Sequence, residues 1–286
     1  MSDLGPVDPG HAADLAWLPR WRLHPEGDVI TTPSSTLIPV STEEGAPAML
    51  KLAHHHEEER ATDLLVALDG HGAARVLRRD GGAMLLERAT GPRDLVEMVR
   101  EGGVRDDEAT RILCSVGRLV HAETERVLGL PAPPELIDLE TWFRQLFAHA
   151  DGLGPLHRAG ASVARRLLDE PGDPVILHGD LHHANVLDFG ERGWLAIDPK
   201  GLVGDAEFDV CNVLCNPHER ALVPGRLSRQ FAVVAEATGF APRRLRDWLV
   251  AWCALSSTWF ALDDDPERAE TVARIGELAA GLDGIS

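Results

Sequence analysis

No stretch of this chain approaches the ~18 uninterrupted apolar residues that a membrane span requires, and Met1 to Gly10 has neither a basic n-region nor an apolar h-region. A cytoplasmic location is expected. Cysteine is scarce: Cys114, Cys211, Cys215 and Cys253 are scattered and form no C-x-x-C pair, which argues against both a disulfide framework and a thiolate zinc site. Four reduced core thiols are expected. Basic residues are outnumbered, with Lys plus Arg at 28 against Asp plus Glu at 46 and a net charge of −18. Such a surface repels nucleic-acid phosphates and anionic lipid and attracts cations, so a small cationic hydroxylated substrate suits it. Solubility alone explains the charge equally well. Internal repeats, low-complexity tracts and long flexible linkers are also missing, and a monomer is expected.

What is present is a chain of 286 residues, 44% of them apolar, enough for two lobes around a cleft. The first ninety residues read as β-rich. Val29 to Val40 and Ala48 to Leu52 are β-prone runs around the turn Ser41 to Gly45, which predicts a hairpin. Glu57 to Leu68 repeats apolar residues at helical spacing and stops at Asp69-Gly70. Ala73 to Leu77 and Ala83 to Leu86 read as two further strands, and Glu87 to Gly91 as an interlobe connection. From Gly91 the signal is mostly helical, over about Asp107 to Val127, Leu139 to Ala150, Gly160 to Asp169 and Leu245 to Leu282, the last broken at Asp263 to Pro266.

The helical run is interrupted at Val175 to Ile197. His178-Gly179-Asp180-Leu181-His182-His183-Ala184-Asn185 follows the strand-like Val175 to Leu177, and its Asp and Asn are five residues apart. This is the spacing of a kinase catalytic loop, where the Asp accepts the substrate hydroxyl proton and the Asn binds Mg²⁺. Val186 to Phe189, Gly190 to Gly193 and Trp194 to Ile197 then read as strand, turn, strand. The hairpin brings Asp198 back beside Asn185, so the two supply oxygen ligands for Mg²⁺. A literal Asp188-Phe189-Gly190 string is rejected as the metal signature, because Asp188 is still on the outgoing strand. Lys51, on a strand of the small lobe, suits the phosphates of ATP, with Glu58 as its chosen partner over Glu57 and Glu59.

These residues resemble the aminoglycoside phosphotransferase family, in its streptomycin 6-kinase and hydroxyurea kinase branch. The likeness is carried by His178 to Asn185, by Gly193 to Gly204, and by Gly70 to Leu77 with Met84 to Ala89. It implies an α+β, protein-kinase-like two-lobe fold: residues 1–89 as a small β-rich nucleotide-binding lobe, and 90–286 as a larger, mostly helical catalytic and substrate-binding lobe. ATP (or GTP) and Mg²⁺ are the implied cofactors. The adenine is expected against backbone near Glu87 and Ala89, and phosphate contacts from the glycine-free loop Thr31 to Thr36, with Ser35 as the named residue. Asp209 resembles the buried Asp that braces the catalytic loop, and His178 is expected to support that loop. Substrate contacts are assigned to His182, Glu207, Trp259 and Asp263. The implied activity is phosphorylation of a small-molecule hydroxyl, foremost the 6-hydroxyl of streptomycin in antibiotic resistance, with hydroxyurea or another small metabolite as the alternative.

Two rival classes compete with this reading. His178, Asp180, His182 and His183 together could form a hydrolytic zinc site, although that leaves Asn185, the hairpin, Asp198 and Lys51 unexplained. A pseudokinase that binds nucleotide without turnover is disfavoured by the presence of every catalytic element sought.

Overall fold

The computed structural model describes residues 16–32, 34–54 and 58–282, and of residues 58–61 only the backbone. The chain opens with α1 (Trp17–Trp21), β1 (His24–Pro25), β2 (Ile30–Thr31), β3 (Ser35–Ser41), β4 (Pro47–Ala53), α2 (Glu58–Leu68), β5 (Val76–Asp80) and β6 (Ala83–Glu87). These strands form one sheet in the order β1-β3-β4-β6-β5, with β2 added to β3. The expected hairpin is β3 and β4, paired from Ser35 opposite Ala53 to Ser41 opposite Pro47. The run Val29 to Val40 is split, because a turn at Thr32 folds β2 back onto β3. α2 ends at Leu68, where Asp69 and Gly70 take left-handed conformations.

Side chains alternate across a strand. Ala48, Leu50 and Leu52 of β4 therefore share one face, packed on Trp21, Leu23, Ile38, Val40 and Leu85. Lys51 is one residue out of step. It lies on the other face, buried at 8% exposure, the side from which Met49 packs on α2 and the helical lobe.

The helical part contains α3 (Leu95–Glu101), α4 (Val104–Ala122), α5 (Thr124–Leu128), β7 (Ile137–Asp138), α6 (Leu139–Trp142), α7 (Arg144–Leu153), α8 (Pro155–Asp169), β8 (Val175–Leu177), β9 (Val186–Asp188), β10 (Trp194–Ala196) and β11 (Leu202–Gly204). It closes with α9 (Ala206–Leu214), α10 (His218–Ala221), α11 (Arg226–Thr238), α12 (Pro242–Leu262) and α13 (Pro266–Ala280). The helix expected over 107–127 starts earlier and breaks at Glu123, while the segment 139–150 breaks at Phe143. The third begins at Pro155, five residues ahead of the expected start, since proline is well tolerated in a first turn. Asp265 caps α13 by accepting the Arg268 N–H, which explains the break before Pro266. Among the described residues no helix is long and apolar enough to cross a membrane.

One core fixes the site between the two lobes. Leu64 and Leu68 of α2 and Met84 and Leu86 of β6 pack with Leu113, Val116 and Val120 of α4, and with Leu181, Val186 and Ala196 of the catalytic segment. Gly117 of α4 allows this approach, because a Cβ there would lie 2.9 Å from Leu181 Cδ2. The isolated bridge between Ala73 and Ala196 joins the chain leading into β5 to the hairpin strand that precedes Asp198.

Candidate active site

The loop His178 to Asn185 leaves β8 and is gripped from below by Asp209 of α9. This carboxylate, 1% exposed, accepts the His178 N–H at 2.8 Å, the Gly179 N–H at 2.6 Å and the His121 Nε2–H at 2.8 Å. Burial works to raise the Asp209 carboxyl, but His121, then His178 and the Gly179 amide, outweigh it and hold it below its ordinary value. His178 has a second role. Its Nδ1 accepts the Asp180 N–H at 3.2 Å and its Nε2–H donates to the Ile197 carbonyl at 2.8 Å, so one ring ties Asp180 to the residue before Asp198.

β9 and β10 pair as Val186 with Ala196, Leu187 with Leu195 and Asp188 with Trp194. The Ile197 N–H continues this ladder to the Asn185 carbonyl at 2.8 Å, which sets Asp198 beside Asn185. Asp198 adopts φ +58°, a left-handed conformation that few L-residues besides Asn and Asp take up. Its Oδ1 receives Lys51 Nζ at 2.5 Å, and its Oδ2 lies 3.4 Å from Lys200 Nζ. Burial again pushes upward, and Lys51 followed by Lys200 brings the Asp198 carboxyl below its ordinary value. Asn185 Nδ2 donates to the Asp180 carbonyl at 2.9 Å and, at 3.3 Å, to its Oδ2. The opposite Asp180 oxygen, Oδ1, accepts Asn212 Nδ2 at 2.8 Å.

Asp180 also lines a cavity of about 420 Å³, whose far wall includes Trp142, Trp252, Trp259, Phe260 and His218. Trp142 and Trp259 meet edge to face with centroids 5.3 Å apart. Trp142 Nε1 and His218 Nε2 are buried with no hydrogen-bond partner among the described residues. His182 stands at the same cavity, its Nε2 3.7 Å from Asp180 Oδ1, and burial lowers its basicity against the pull of Asp180.

Residues 20–264 match the family described as Aminoglycoside/hydroxyurea antibiotic resistance kinase. The chain belongs to this family. It is 46% identical over 250 residues to a streptomycin 3''-kinase of Klebsiella pneumoniae, covering 85% of this chain and 91% of that one. It is 33% identical over 277 residues to a streptomycin 6-kinase of Streptomyces griseus, covering 91% and 86%. In fold it is similar to an aminoglycoside phosphotransferase solved with ADP and hygromycin B, at TM-score 0.66 and 12% identity, covering 96% and 100%. A second neighbour is an amicoumacin kinase solved with AMP-PNP, Ca²⁺ and its antibiotic, at TM-score 0.64 and 15% identity, covering 96% and 94%. The fold is thus the protein-kinase-like two-lobe arrangement, and the chain is a kinase.

The other residues named from sequence are spread over both lobes of this kinase. Asp188 is away from the Asn185–Asp198 pair and 3% exposed; its carboxylate holds Arg93 Nε at 2.7 Å and Nη2 at 3.0 Å and accepts the Gly190 N–H at 3.1 Å. Glu207 faces Arg244 at 3.8 Å, and Asp263 is exposed in the turn before α13. Neither lines the cavity. Among the described residues Asp180 is its one acidic side chain, a correction to the expectation of carboxylate partners for a cationic substrate. Trp259 and His182 do line it. Ser35 is buried, and its hydroxyl is hydrogen-bonded to Thr32 Oγ1 at 3.1 Å. The Glu87 carboxylate accepts the Arg75 N–H at 2.5 Å and pairs with Arg192, while Ala89 packs against the small cluster of Ala74, Phe189 and Leu195. Glu57 lies outside the described residues, and so do the side chains of Glu58 and Glu59, so the pairing expected for Lys51 lies outside them as well.

The zinc alternative is overturned. His178 is spent on Ile197 and Asp180, and His183 is turned into the core at 2% exposure, where burial pushes its basicity down to about 3. Among the described residues no three His, Cys, Asp or Glu side chains gather as metal ligands. Sequence reasoning missed Lys200, Asn212 and His121, which reach the site from other turns and helices. Only Lys200 left a signal, two residues past Asp198.

Proposed function

We propose that this kinase transfers the γ-phosphoryl group of ATP, with Mg²⁺, to a hydroxyl of a streptomycin-type aminocyclitol. The observation behind this reading is that one side chain, Asp180, belongs both to the Lys51–Asp198–Asn185 group and to the aromatic cavity. Asp180 would orient the acceptor hydroxyl and take its proton, held for the task by Asn212 and Asn185. Lys51 would hold donor phosphate oxygens as a point charge. The metal donor set fits a hard divalent ion: Asn185 spends its amide nitrogen on Asp180, its Oδ1 accepts no hydrogen bond among the described residues, and Asp198 adds a carboxylate. When bound, Mg²⁺ supplies charge neutralisation on the phosphate oxygens.

The cavity volume, about 420 Å³, suits a drug-sized acceptor better than a molecule as small as hydroxyurea. Its aromatic wall supports recognition of guanidinium groups by ring faces rather than by carboxylates. For the position of transfer, the relative at 46% identity is a 3''-kinase and that at 33% a 6-kinase. We therefore favour the 3''-hydroxyl over the 6-hydroxyl that the family resemblance implies. The test is to incubate the purified protein with ATP, Mg²⁺ and streptomycin and to locate the phosphate by two-dimensional ³¹P–¹H NMR. A phosphate on the 6-hydroxyl would reverse the positional assignment, and turnover of hydroxyurea without streptomycin would reject the acceptor class.

A further inference from the structure

The whole chain contains two lysines, Lys51 and Lys200, every other basic side chain apart from histidine being arginine. Both ammonium groups approach the same carboxylate, Lys51 on Oδ1 of Asp198 and Lys200 on Oδ2. Lys51 comes from the sheet of the small lobe. Lys200 comes from the turn after β10, and its placement differs in one respect: its Nζ lies 3.4 Å from Asp198 Oδ2 and 3.6 Å from Asp180 Oδ2. It thus bridges the carboxylate assigned to the metal and the carboxylate assigned to the acceptor. The Lys200 N–H donates to the His178 carbonyl at 2.7 Å, which anchors the root of the side chain on the catalytic loop, and the two carboxylates hold its end. Lys200 also lines the acceptor cavity with Asp180.

We infer that Lys200 is a catalytic residue that carries positive charge to the phosphoryl group during its transfer. The inference rests on the roles proposed for Asp180 and Asp198. In an in-line transfer the acceptor oxygen forms its bond to the γ-phosphorus as the bond from that phosphorus to the β–γ bridging oxygen breaks. The hydroxyl proton passes to Asp180, and ADP leaves with the bond's electron pair. With the acceptor held at Asp180 and the donor at Asp198, the group in flight crosses the gap that Lys200 Nζ spans. Its negative oxygens meet there a compact charge already placed between the two carboxylates, which lowers the cost of reorganisation at the moment of reaction. A planar guanidinium tends to pair bidentately with one carboxylate, whereas an ammonium can bridge two. That gives a reason for lysine at this point in a chain that otherwise uses arginine.

Lys200→Met keeps the length of the stem and removes the charge, and Lys200→Gln is the second variant should the first fold poorly. Loss of one such preorganised group typically lowers kcat about 10²- to 10³-fold, and that is the drop expected with streptomycin as acceptor. Binding supplies a second readout. The affinity for ADP with Mg²⁺ and aluminium fluoride, an analogue of the phosphoryl group in flight, should fall at least about tenfold, while affinity for ADP with Mg²⁺ stays within about twofold. A kcat within about fivefold of wild type overturns the assignment, and so does an equal loss of both affinities, which would make Lys200 a clasp for the resting site. Lys200→Arg should stay well below wild type. Full activity in that variant would show that any cation serves and remove the argument from lysine. Turnover that survives Asp180→Asn overturns the roles of the two carboxylates instead, and that result is read independently of the Lys200 variants.

Discussion

Replacing Asp209 by Asn tests whether the catalytic loop is held by one buried charge. The carboxylate has two oxygens and three donors, the N–H groups of His178 and Gly179 and the Nε2–H of His121. An amide offers one oxygen. If its nitrogen takes the place of Oδ1, the Gly179 N–H is stranded; if it takes the place of Oδ2, both His178 and His121 are. The smaller loss is one charge-assisted hydrogen bond, about 1.5–3 kcal/mol, plus a buried donor left without an acceptor, about 1–3 kcal/mol. Together these span about 2.5–6 kcal/mol, which brackets the about 3–5 kcal/mol found when one partner of a buried charge pair is removed, the figure carried forward. At about 2–4 °C per kcal/mol for a chain somewhat smaller than this one, the Tm should fall by roughly 6–20 °C. The Asp209 carboxyl is held below its ordinary value. Its contribution is therefore complete above the unfolded value of ~3.9 and is lost as pH falls through the lower folded value. The gap between wild type and variant should be widest near neutrality and narrow on acidification. Thermal melts from neutral pH to about pH 3 measure this. A Tm within about 2 °C of wild type at neutral pH would falsify the account of the loop.

Three other outcomes follow from named contacts. Asp180→Asn should lower kcat by about 10²- to 10⁴-fold with nucleotide affinity nearly unchanged, measured by coupled assay and titration calorimetry; substantial residual turnover would move the general base elsewhere. Asp198→Ala should abolish the Mg²⁺ dependence of nucleotide binding and Asp188→Ala should leave it intact, because Asp188 holds Arg93 and the Gly190 amide; the reverse pattern would restore the literal Asp-Phe-Gly reading. Asp263→Ala should leave the KM for streptomycin within about twofold and Trp259→Ala should raise it about tenfold, since only Trp259 lines the cavity. Equal effects of the two would bring carboxylates back into acceptor recognition.

The sequence by itself determined the elements whose signals are local. Alternation in Ala48 to Leu52 and the turn after Val40 specify the hairpin that carries Lys51, and Asp69-Gly70 and Pro266 mark helix ends through their own backbone preferences. The return of Asp198 to Asn185 was equally legible, because four residues between two short strands leave the chain little choice but a hairpin. Tertiary structure decided everything that depends on which faces meet. Glu207 and Asp263 look available for a cationic substrate in the sequence, yet packing turns one toward Arg244 and leaves the other in solvent. Asn212 and His121 reach Asp180 and Asp209 from helices 32 and 88 residues away along the chain, separations over which no periodicity operates. The aromatic wall has the same origin. Trp259 is named for the substrate from sequence and Trp142 is not, and the two become one surface because α6 and the end of α12 are packed together beside the loop. Hydrogen-bond spacing along the chain writes strands and turns, whereas the contents of a cavity depend on how distant apolar faces are buried together.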